Sequence, residues 1–348
     1  MGDLGMKVQP DIESQKKFTS NYFTEERFVK ERYSYVYGDR TKQRIDVAFN
    51  VSSDFCRPLG VTITSVLENN ADLDVHLHIF IDAIDEQDKA RIIEQAQKYQ
   101  QNAYIYIMNI EEFTGFHIKH KRFKHVSYFR LYMNKILQKI TDRFIYLDAD
   151  LICLRSMKPF LEVDFAGKTI AAVADLPNAV RERSAYLGLE HGNYLDSGVL
   201  IIDCKAWEER KITEKCFAYQ HVPAKCFTCH DQDVLNLVLD GDVQYIDSRF
   251  NFLGIYGWDT PEGCMIYHFF GREKPWNLAL RAIDKEWRRY LEISPWENID
   301  GELPAKKGAN YFNYKRAAQY YKTHNKFWQS VQCRFWYGVL KIMNYIGL

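Results

Sequence analysis

Residues 143–150 read Arg-Phe-Ile-Tyr-Leu-Asp-Ala-Asp, an apolar run that ends in two carboxylates. The apolar part is typical of a buried strand, and side chains alternate along a strand, so Asp148 and Asp150 project to the same side. Ligands of open α/β sheets bind beyond the carboxyl ends of the strands. Two hard oxygen ligands there suit Mg²⁺ or Mn²⁺ and, through the cation, a diphosphate. A strand that simply ends in polar residues is the alternative interpretation.

Strand and helix patterns alternate on both sides of this run, which predicts an α/β fold with a mostly parallel sheet flanked by helices. The predicted strands are 45–50, 75–81, 103–108, 143–148, 169–174 and 199–203, and the predicted helices are 60–68, 85–99, 127–137, 205–219 and 232–239. We divide the chain into a helical N-terminal extension (1–44), a main domain (45–275) and a C-terminal helical extension (276–348).

The phosphate-binding loops of the common nucleotide folds are absent from the sequence. There is no G-x-G-x-x-G after the first predicted strand and no G-x-x-x-x-G-K-[ST] anywhere. A bound phosphate would therefore be held by a metal ion and side chains instead of a glycine-rich backbone. This favours the metal interpretation of Asp148 and Asp150 over a dehydrogenase.

Composition limits the class of partner. The chain has 46 Lys+Arg and 46 Asp+Glu, so no overall field favours nucleic acid, while aromatic residues make up 15%. Residues 303–348 contain eight Lys or Arg and no Asp or Glu, and a basic tail on an acidic body indicates separate roles. The 348 residues include no window of about 18 apolar residues and no apolar N-terminal signal, so we expect a cytoplasmic protein.

The eight cysteines are scattered through the chain, which is typical of buried thiols in a reducing compartment. Cys226 and Cys229 have half the spacing of a structural zinc site, but no second pair follows at a suitable distance. Zinc binding there is the weaker interpretation.

Three further clusters contain polar and charged side chains of the kinds that bind ligands or take part in catalysis. They are Tyr-Leu-Asp-Ser-Gly at 194–198, His-Asp-Gln-Asp at 230–233, and His-Phe-Phe-Gly-Arg-Glu-Lys-Pro-Trp at 268–276. Each alone has a structural interpretation, since aspartates often cap helices and Asp-Ser-Gly often forms a turn.

Together with the Asp-x-Asp run, these clusters resemble glycosyltransferase family eight, whose members are retaining, nucleotide-sugar-dependent enzymes of the GT-A fold. The resemblance covers about 45–276, and its carrying stretches are RFIYLDADLICLRSMKPF, YLDSGVLIIDCKAW, DQDVLN, SRFNF and HFFGREKPW. It is greatest to the bacterial lipopolysaccharide core glucosyl- and galactosyltransferases.

The resemblance implies roles for individual residues. Asp148, Asp150 and His268 would bind Mg²⁺ or Mn²⁺, and Gln232, Asp231 and Asp196 would carry the catalysis, with Asp233 a further possible nucleophile. The implied donor-binding residues are Asn50, Val51, Ser52, Asp54, Arg130, Asp148, Ala149, Asp175, Ser197, Gly271 and Lys274.

Two departures from the family pattern affect the donor. Ser52 and Asp54 stand where the family usually has Asp and Asn, and Asp196 replaces a usual Asn. Because a carboxylate cannot donate a hydrogen bond as an amide does, we expect one sugar contact to differ. The resemblance leaves open glucose or galactose as the sugar, and a covalent intermediate or same-face attack as the route; we favour same-face attack.

The resemblance implies a UDP-sugar donor, a lipopolysaccharide core acceptor and work at the inner face of the bacterial inner membrane. Basic and aromatic residues alternate through 311–348, which suits a helix lying in lipid headgroups. The basic segment 117–125 is either a solvated loop or a landing site for a phosphorylated acceptor. A glycogenin-like transferase and a non-catalytic nucleotide-sugar-binding module are the alternatives.

Overall fold

The computed structural model describes residues 8–10, 12–118, 124–223, 226–254, 260–271, 274–299, 301–303 and 305–347. The chain divides into two compact units. The first comprises Met1–Leu253 with Pro261–His268, and the second comprises Gly254–Thr260 with Phe269–Leu348.

The first half of the larger unit alternates strand and helix as predicted. Strand β3 is buried at all nine positions, which is typical of a strand covered on both faces of a parallel sheet. The strands here are β1 (Val29–Val36), β2 (Gln43–Val51), β3 (Leu73–Ile81) and β4 (Asn102–Met108), and the helices are α1 (Ile12–Lys17), α2 (Glu25–Phe28), α3 (Cys56–Glu68) and α4 (Glu86–Lys98).

The second half of this unit has shorter elements. Its strands are β5 (Arg143–Leu147), β6 (Leu151–Cys153), β7 (Ile170–Ala174), β8 (Leu195–Asp203), β9 (Val243–Tyr245), β10 (Phe252–Leu253) and β11 (Ile266–His268). Its helices are α5 (Asn134–Leu137), α6 (Lys158–Leu161), α7 (Pro177–Leu187), α8 (Cys204–Glu209), α9 (Ile212–Phe217) and α10 (Asp231–Val238).

Within the described residues, eight strands form the main sheet in the order β1-β4-β3-β2-β5-β8-β7-β9. The pairs β4/β3, β3/β2, β2/β5 and β7/β9 are parallel, whereas β1/β4, β5/β8 and β8/β7 are antiparallel. The predicted α/β class with a mostly parallel sheet is therefore confirmed. A small sheet, β10-β11-β6, lies beyond the end of β5.

The helical prediction for residues 1–44 is wrong for Val29–Val36, which forms edge strand β1 and pairs antiparallel with β4. Several charged residues of this strand are exposed, so its hydrophobic alternation is weak. Before it, aromatic side chains pack into the core, and the ring of Phe28 stacks on Tyr132 at 4.1 Å between centroids.

Two predicted helices are broken. The segment 127–137 is a 3-10 helix, His125–Leu131, followed by the single turn α5. The segment 205–219 divides into α8 and α9 because Lys211 between them adopts a left-handed φ of 55°. A non-glycine residue in that region interrupts a helix.

The smaller unit contains the helices α11 (Ala282–Glu292), α12 (Tyr311–Thr323) and α13 (Phe327–Tyr345). Helices α12 and α13 pack through a small core that includes Tyr314, Ala317, Tyr321, Cys333 and Leu340. Among the described residues, no helix combines the length and the hydropathy that a bilayer crossing requires.

Candidate metal and donor site

The two aspartates of the Asp-x-Asp run follow directly after β5, at its carboxyl end. Because β5 is antiparallel to β8, the end of β5 lies beside the start of β8, and the Asp148 N–H donates to the Gly198 carbonyl at 2.8 Å. On the other side, the hydroxyl of Thr62 in α3 contacts the carbonyls of Ala149 (3.0 Å) and Leu151 (2.7 Å). The turn that carries both carboxylates is thus held by two separate elements.

The small sheet brings His268 to the same place. Strand β11 pairs antiparallel with β6, and His268 lies opposite Leu151, the residue after Asp150. The Nε2 atom of His268 lies 3.2 Å from Oδ1 of Asp150 and 3.9 Å from Oδ2 of Asp148. One potential ligand atom from each of these three residues lies within 4.8 Å of the others. The structure therefore brings together the three residues that were predicted to bind a metal, and their role as metal ligands stays a prediction.

The protonation behaviour of His268 reflects this negative environment. Burial disfavours the charged imidazolium, but the carboxylates of Asp150 and Asp196 outweigh burial and raise the pKa of His268 to about 10. An excess of negative charge around a histidine is the environment that a cation would neutralise. The two carboxylates supply the hard oxygen ligands that suit Mg²⁺ or Mn²⁺, and the imidazole would complete the set of three protein ligands.

Arg130 connects the metal ligands with the start of α10. Its guanidinium donates to Oδ1 of Asp148 (2.8 Å) and to the Ser197 carbonyl (2.7 Å), and its Nε lies 3.1 Å from Oδ2 of Asp231. Tyr146 also donates to Oδ1 of Asp148, at 2.5 Å. Because both donors use Oδ1, Oδ2 of Asp148 is the oxygen left facing His268.

Gln232 is held by residues that were predicted to surround the donor sugar. Its Oε1 accepts from the N–H (3.1 Å) and hydroxyl (3.2 Å) of Ser197, and its Nε2 donates to Asp175 at 2.8 Å. Burial and the nearby charge of Asp196 raise the pKa of Asp175 to about 6. Gln232, Ser197 and Asp175 therefore form one hydrogen-bonded group.

The two aspartates of α10 differ sharply. Asp233 is fully buried and accepts hydrogen bonds from Arg183, Tyr194 and the N–H of Cys229. It is an anchor for the loop before α10, and the idea that it acts as a nucleophile is not supported. For Asp231, burial outweighs the attraction of Arg130 and raises the pKa to about 6.

Asp196 is buried behind His268. Its Oδ1 accepts from the Gly198 N–H (3.0 Å) and from Nδ2 of Asn251 (2.7 Å), and it lies 3.7 Å from Nδ1 of His268. The side-chain oxygen Oδ1 of Asn251 faces the same Nδ1 at 3.2 Å. Asp196 thus lies beside His268, one of the three candidate metal ligands, and beside its neighbour Asn251.

The predicted donor-binding residues Asn50, Val51, Ser52 and Asp54 lie at the end of β2 and just after it. Val51, the last residue of β2, is buried. Asn50 donates to the Val126 carbonyl at 3.0 Å, while its own Oδ1 is buried without a hydrogen-bond donor among the described residues. Ser52 donates to Asp54 at 2.5 Å, and Lys124 forms an ion pair with Asp54 at 2.6 Å. Ser52 and Asp54 are therefore tied to each other and to Lys124.

Gly271 and Lys274 belong to the smaller unit. Gly271 has a left-handed φ of 87°, which favours glycine, and the Lys274 ammonium donates to the Phe269 carbonyl. Their contact with a diphosphate stays a prediction. Within the basic segment 117–125, residues 119–123 lie outside the described residues.

Sequence reasoning missed three supporting residues. Thr62 holds the Asp-x-Asp turn, Tyr146 bonds to Asp148, and Asn251 bonds to both Asp196 and His268. The role of Tyr146 could have been predicted, because side chains two residues apart project to the same face of a strand, and Asp148 is two residues after Tyr146. Asn251 lies in the SRFNF stretch that carries the resemblance, but no role was assigned to it. Thr62 carries no local signal, because it acts through a contact far along the chain.

Comparison with known proteins agrees with this geometry. A family model described as Glycosyl transferase family 8 matches residues 46–279. The lipopolysaccharide 1,2-glucosyltransferase of Escherichia coli K12 is 26% identical over 273 residues, covering 74% of this chain and 80% of the relative. The lipopolysaccharide 1,3-galactosyltransferase of Salmonella typhimurium is 27% identical over 296 residues, covering 80% of this chain and 87% of the relative.

Among solved structures, the galactosyltransferase LgtC in complex with donor and acceptor sugar analogs superposes with a TM-score of 0.65 at 22% identity. The match covers 73% of this chain and 97% of that one. The likeness is one of fold.

Proposed function

Because this chain belongs to glycosyl transferase family 8, we propose that it moves glucose or galactose from a UDP-sugar onto a sugar of the lipopolysaccharide outer core, with retention of configuration. The family makes glycosyl transfer the reaction class. The relatives named for lipopolysaccharide support the choice of acceptor.

The observation that carries the proposal is the triad of Asp148, Asp150 and His268 beside the Arg130–Asp231 ion pair. Bound at the triad, Mg²⁺ or Mn²⁺ would act as a Lewis acid that stabilises the negative charge developing on the departing UDP. Arg130 donates a hydrogen bond to Oδ1 of Asp148, which leaves Oδ2 of the same carboxylate facing His268 and available to a cation. Lys274 would add a second positive charge at the diphosphate.

Gln232 and Asp175 would bind the hydroxyls of the donor sugar, since they offer an amide and a carboxylate joined by a hydrogen bond. Our preferred route is same-face attack, in which the acceptor hydroxyl gives its proton to the departing phosphate. Asp231 is the remaining candidate for a covalent route. Trapping with a fluorinated UDP-sugar and intact-mass spectrometry decides between them, because a hexosyl adduct on Asp231 would contradict same-face attack.

Activity tests the proposal directly. Purified protein is incubated with Mn²⁺, a panel of UDP-sugars and truncated lipopolysaccharide cores, and products are identified by mass spectrometry. We expect transfer from UDP-glucose or UDP-galactose, with the α-anomeric linkage retained by NMR. The double variant Asp148→Ala/Asp150→Ala should lose at least 10²-fold in kcat. The control Asp72→Ala/Asp247→Ala alters two half-exposed carboxylates and should keep activity.

If no UDP-sugar is consumed with any core acceptor, the proposed function is wrong. If the protein glycosylates itself or another protein instead, the donor chemistry stands and the acceptor class is wrong.

Helix α13 supports the further proposal that the enzyme works at the inner face of the inner membrane. Trp328, Phe335 and Ile342 are seven residues apart, so they share one face of the helix, and their exposed fractions are 78%, 63% and 64%. Arg334 and Lys341, also seven apart, lie exposed beside this stripe. An exposed apolar stripe with a basic flank suits a helix lying in anionic headgroups.

Each basic residue near an anionic surface contributes about 1 kcal/mol, and the buried apolar side chains add to this. Sedimentation with vesicles of phosphatidylglycerol or phosphatidylcholine tests the proposal. The variant Trp328→Ser/Phe335→Ser should lose binding to the anionic vesicles at least tenfold and keep its melting temperature. Ile12→Ser, which alters another exposed apolar side chain, is the control. Equal binding by all three proteins would contradict a lipid contact on α13.

A further inference from the structure

The two ring nitrogens of His268 face different groups. Nε2 lies 3.2 Å from Oδ1 of Asp150, whereas Nδ1 faces the side-chain oxygen Oδ1 of Asn251 (3.2 Å) and Oδ1 of Asp196 (3.7 Å). A cation held with the two aspartates needs the lone pair of Nε2, so the proton of the neutral ring must sit on Nδ1. Both groups that face Nδ1 are acceptors, which is what this tautomer requires.

Asp196 also fixes the orientation of Asn251. Both side chains are buried, and Nδ2 of Asn251 donates to Oδ1 of Asp196 at 2.7 Å. An ionised carboxylate only accepts hydrogen bonds, so the amide must turn its NH₂ group to Asp196. The amide oxygen is then directed at His268. Asp196 therefore acts on the ring through its charge at 3.7 Å and, by hydrogen bonding, through Asn251.

We propose that Asp196 is a positioning residue of the metal centre: it holds His268 as the Nδ1-protonated tautomer and increases the affinity of the Asp148, Asp150 and His268 triad for a divalent cation. This inference rests on the proposed function, which needs a cation at that triad. Outer groups that hydrogen-bond to the far nitrogen of a metal-binding histidine, here the Asn251 oxygen that Asp196 orients, fix the ring and raise its basicity. Loss of such groups typically costs 10–100-fold in metal affinity.

The first test measures Mn²⁺ binding calorimetrically, without donor or acceptor. Asp196→Asn keeps the size of the side chain but removes its charge, and we expect Mn²⁺ to bind 10–100-fold more weakly. Asp240→Asn is the matched control, since Asp240 faces Nδ1 of His191 at 3.2 Å outside the triad. The control should bind Mn²⁺ as the unaltered protein does.

Asn251→Ala is a second variant that removes the bridge while keeping Asp196. It should weaken Mn²⁺ binding in the same direction, and melting in EDTA identifies any variant whose fold is damaged. If Asp196→Asn and Asn251→Ala both fold and bind Mn²⁺ with unchanged affinity, the inference is wrong while the proposed function stands. If the unaltered protein itself binds no Mn²⁺, the proposed function fails as well.

Kinetics separate positioning from direct sugar contact. A positioning role predicts that Asp196→Asn recovers its kcat when Mn²⁺ is raised above the new dissociation constant. A kcat that stays low at saturating Mn²⁺, together with a raised KM for the UDP-sugar, would place Asp196 at the sugar and overturn the inference.

Discussion

The imidazole of His268 lies directly against the backbone of Gly198, since glycine leaves no side chain between them. A Cβ at residue 198 would lie 2.4 Å from Cε1 and 2.7 Å from Nδ1 of the ring. Such distances force the ring to move. The requirement for glycine here therefore comes from the position of His268, one of the three candidate metal ligands.

We expect Gly198→Ala to displace His268 and to weaken Mn²⁺ binding at least tenfold, because Nε2 would no longer face Asp150. Calorimetric titration with Mn²⁺ measures the effect. Gly338→Ala is the control, since a Cβ there meets nothing within 4 Å. Unchanged Mn²⁺ affinity in Gly198→Ala would mean that the ring can shift without cost.

A second prediction concerns Thr62, whose hydroxyl lies between the carbonyls of Ala149 and Leu151. Thr62→Val keeps the shape but leaves buried carbonyls without their donor, which should cost about 1–3 kcal/mol of unfolding free energy. Because these carbonyls belong to the Asp-x-Asp turn, Mn²⁺ affinity should fall too.

Thr64→Val separates the two effects. Thr64 lies in the same helix and is equally buried, but it donates to the Gly60 carbonyl within that helix. It should lose stability in urea denaturation and keep its Mn²⁺ affinity. If both variants lose affinity alike, the Thr62 contact has no special role at the turn.

The candidate metal ligands Asp148, Asp150 and His268 show which parts of a site can be predicted from sequence. Asp148 and Asp150 were predicted from the two-residue period of a strand, which is local. His268 could be named only through the family resemblance, because the β6–β11 pairing that brings it to Asp150 joins distant parts of the chain. Asn251 lies in the quoted SRFNF stretch, but its role was missed because its contacts with Asp196 and His268 are distant in sequence.

The fold, too, has elements that local sequence patterns predict and elements that they do not. Strand β5 was predicted from its apolar run and β3 from its alternating pattern, whereas the exposed edge strand β1 left a weak pattern. The break at Lys211 depends on a single left-handed residue, and helix propensity does not reveal such a residue. The antiparallel insertion of β8 next to β5 follows from a chain path that periodicity does not encode.

A third prediction concerns the Arg130–Asp231 pair, of which both members are buried. Arg130→Met leaves the carboxylate of Asp231 without its partner, and breaking a buried pair typically costs about 3–5 kcal/mol. Arg130→Met/Asp231→Asn removes both charges and should recover part of that loss in urea denaturation. Transfer activity should stay low in both variants, because Asp148 loses a hydrogen bond. A double variant no more stable than Arg130→Met would show that the two charges are not coupled.

The last prediction is an acid-dependent loss of stability from Asp46, in strand β2. Arg44 binds its carboxylate through two hydrogen bonds, of 2.7 and 2.8 Å, and His78 approaches it at 2.9 Å. Burial alone would raise the pKa of Asp46, but hydrogen bonds from His78 and Arg44 outweigh burial and lower the pKa from 3.8 to about 2.

A lowered pKa means that the folded state favours the ionised carboxylate. The stabilisation is therefore complete above about pH 4 and is lost as the pH falls towards 2, and it amounts to roughly 2–3 kcal/mol. Urea denaturation between pH 5 and 2 measures this. Asp46→Asn should have a lower free energy of unfolding than the unaltered protein at pH 5. Between pH 5 and 2, its free energy of unfolding should fall by about 2–3 kcal/mol less than that of the unaltered protein. Asp164→Asn, at an exposed position, should follow the unaltered protein. A decline of equal size in Asp46→Asn would assign the acid sensitivity to other carboxylates.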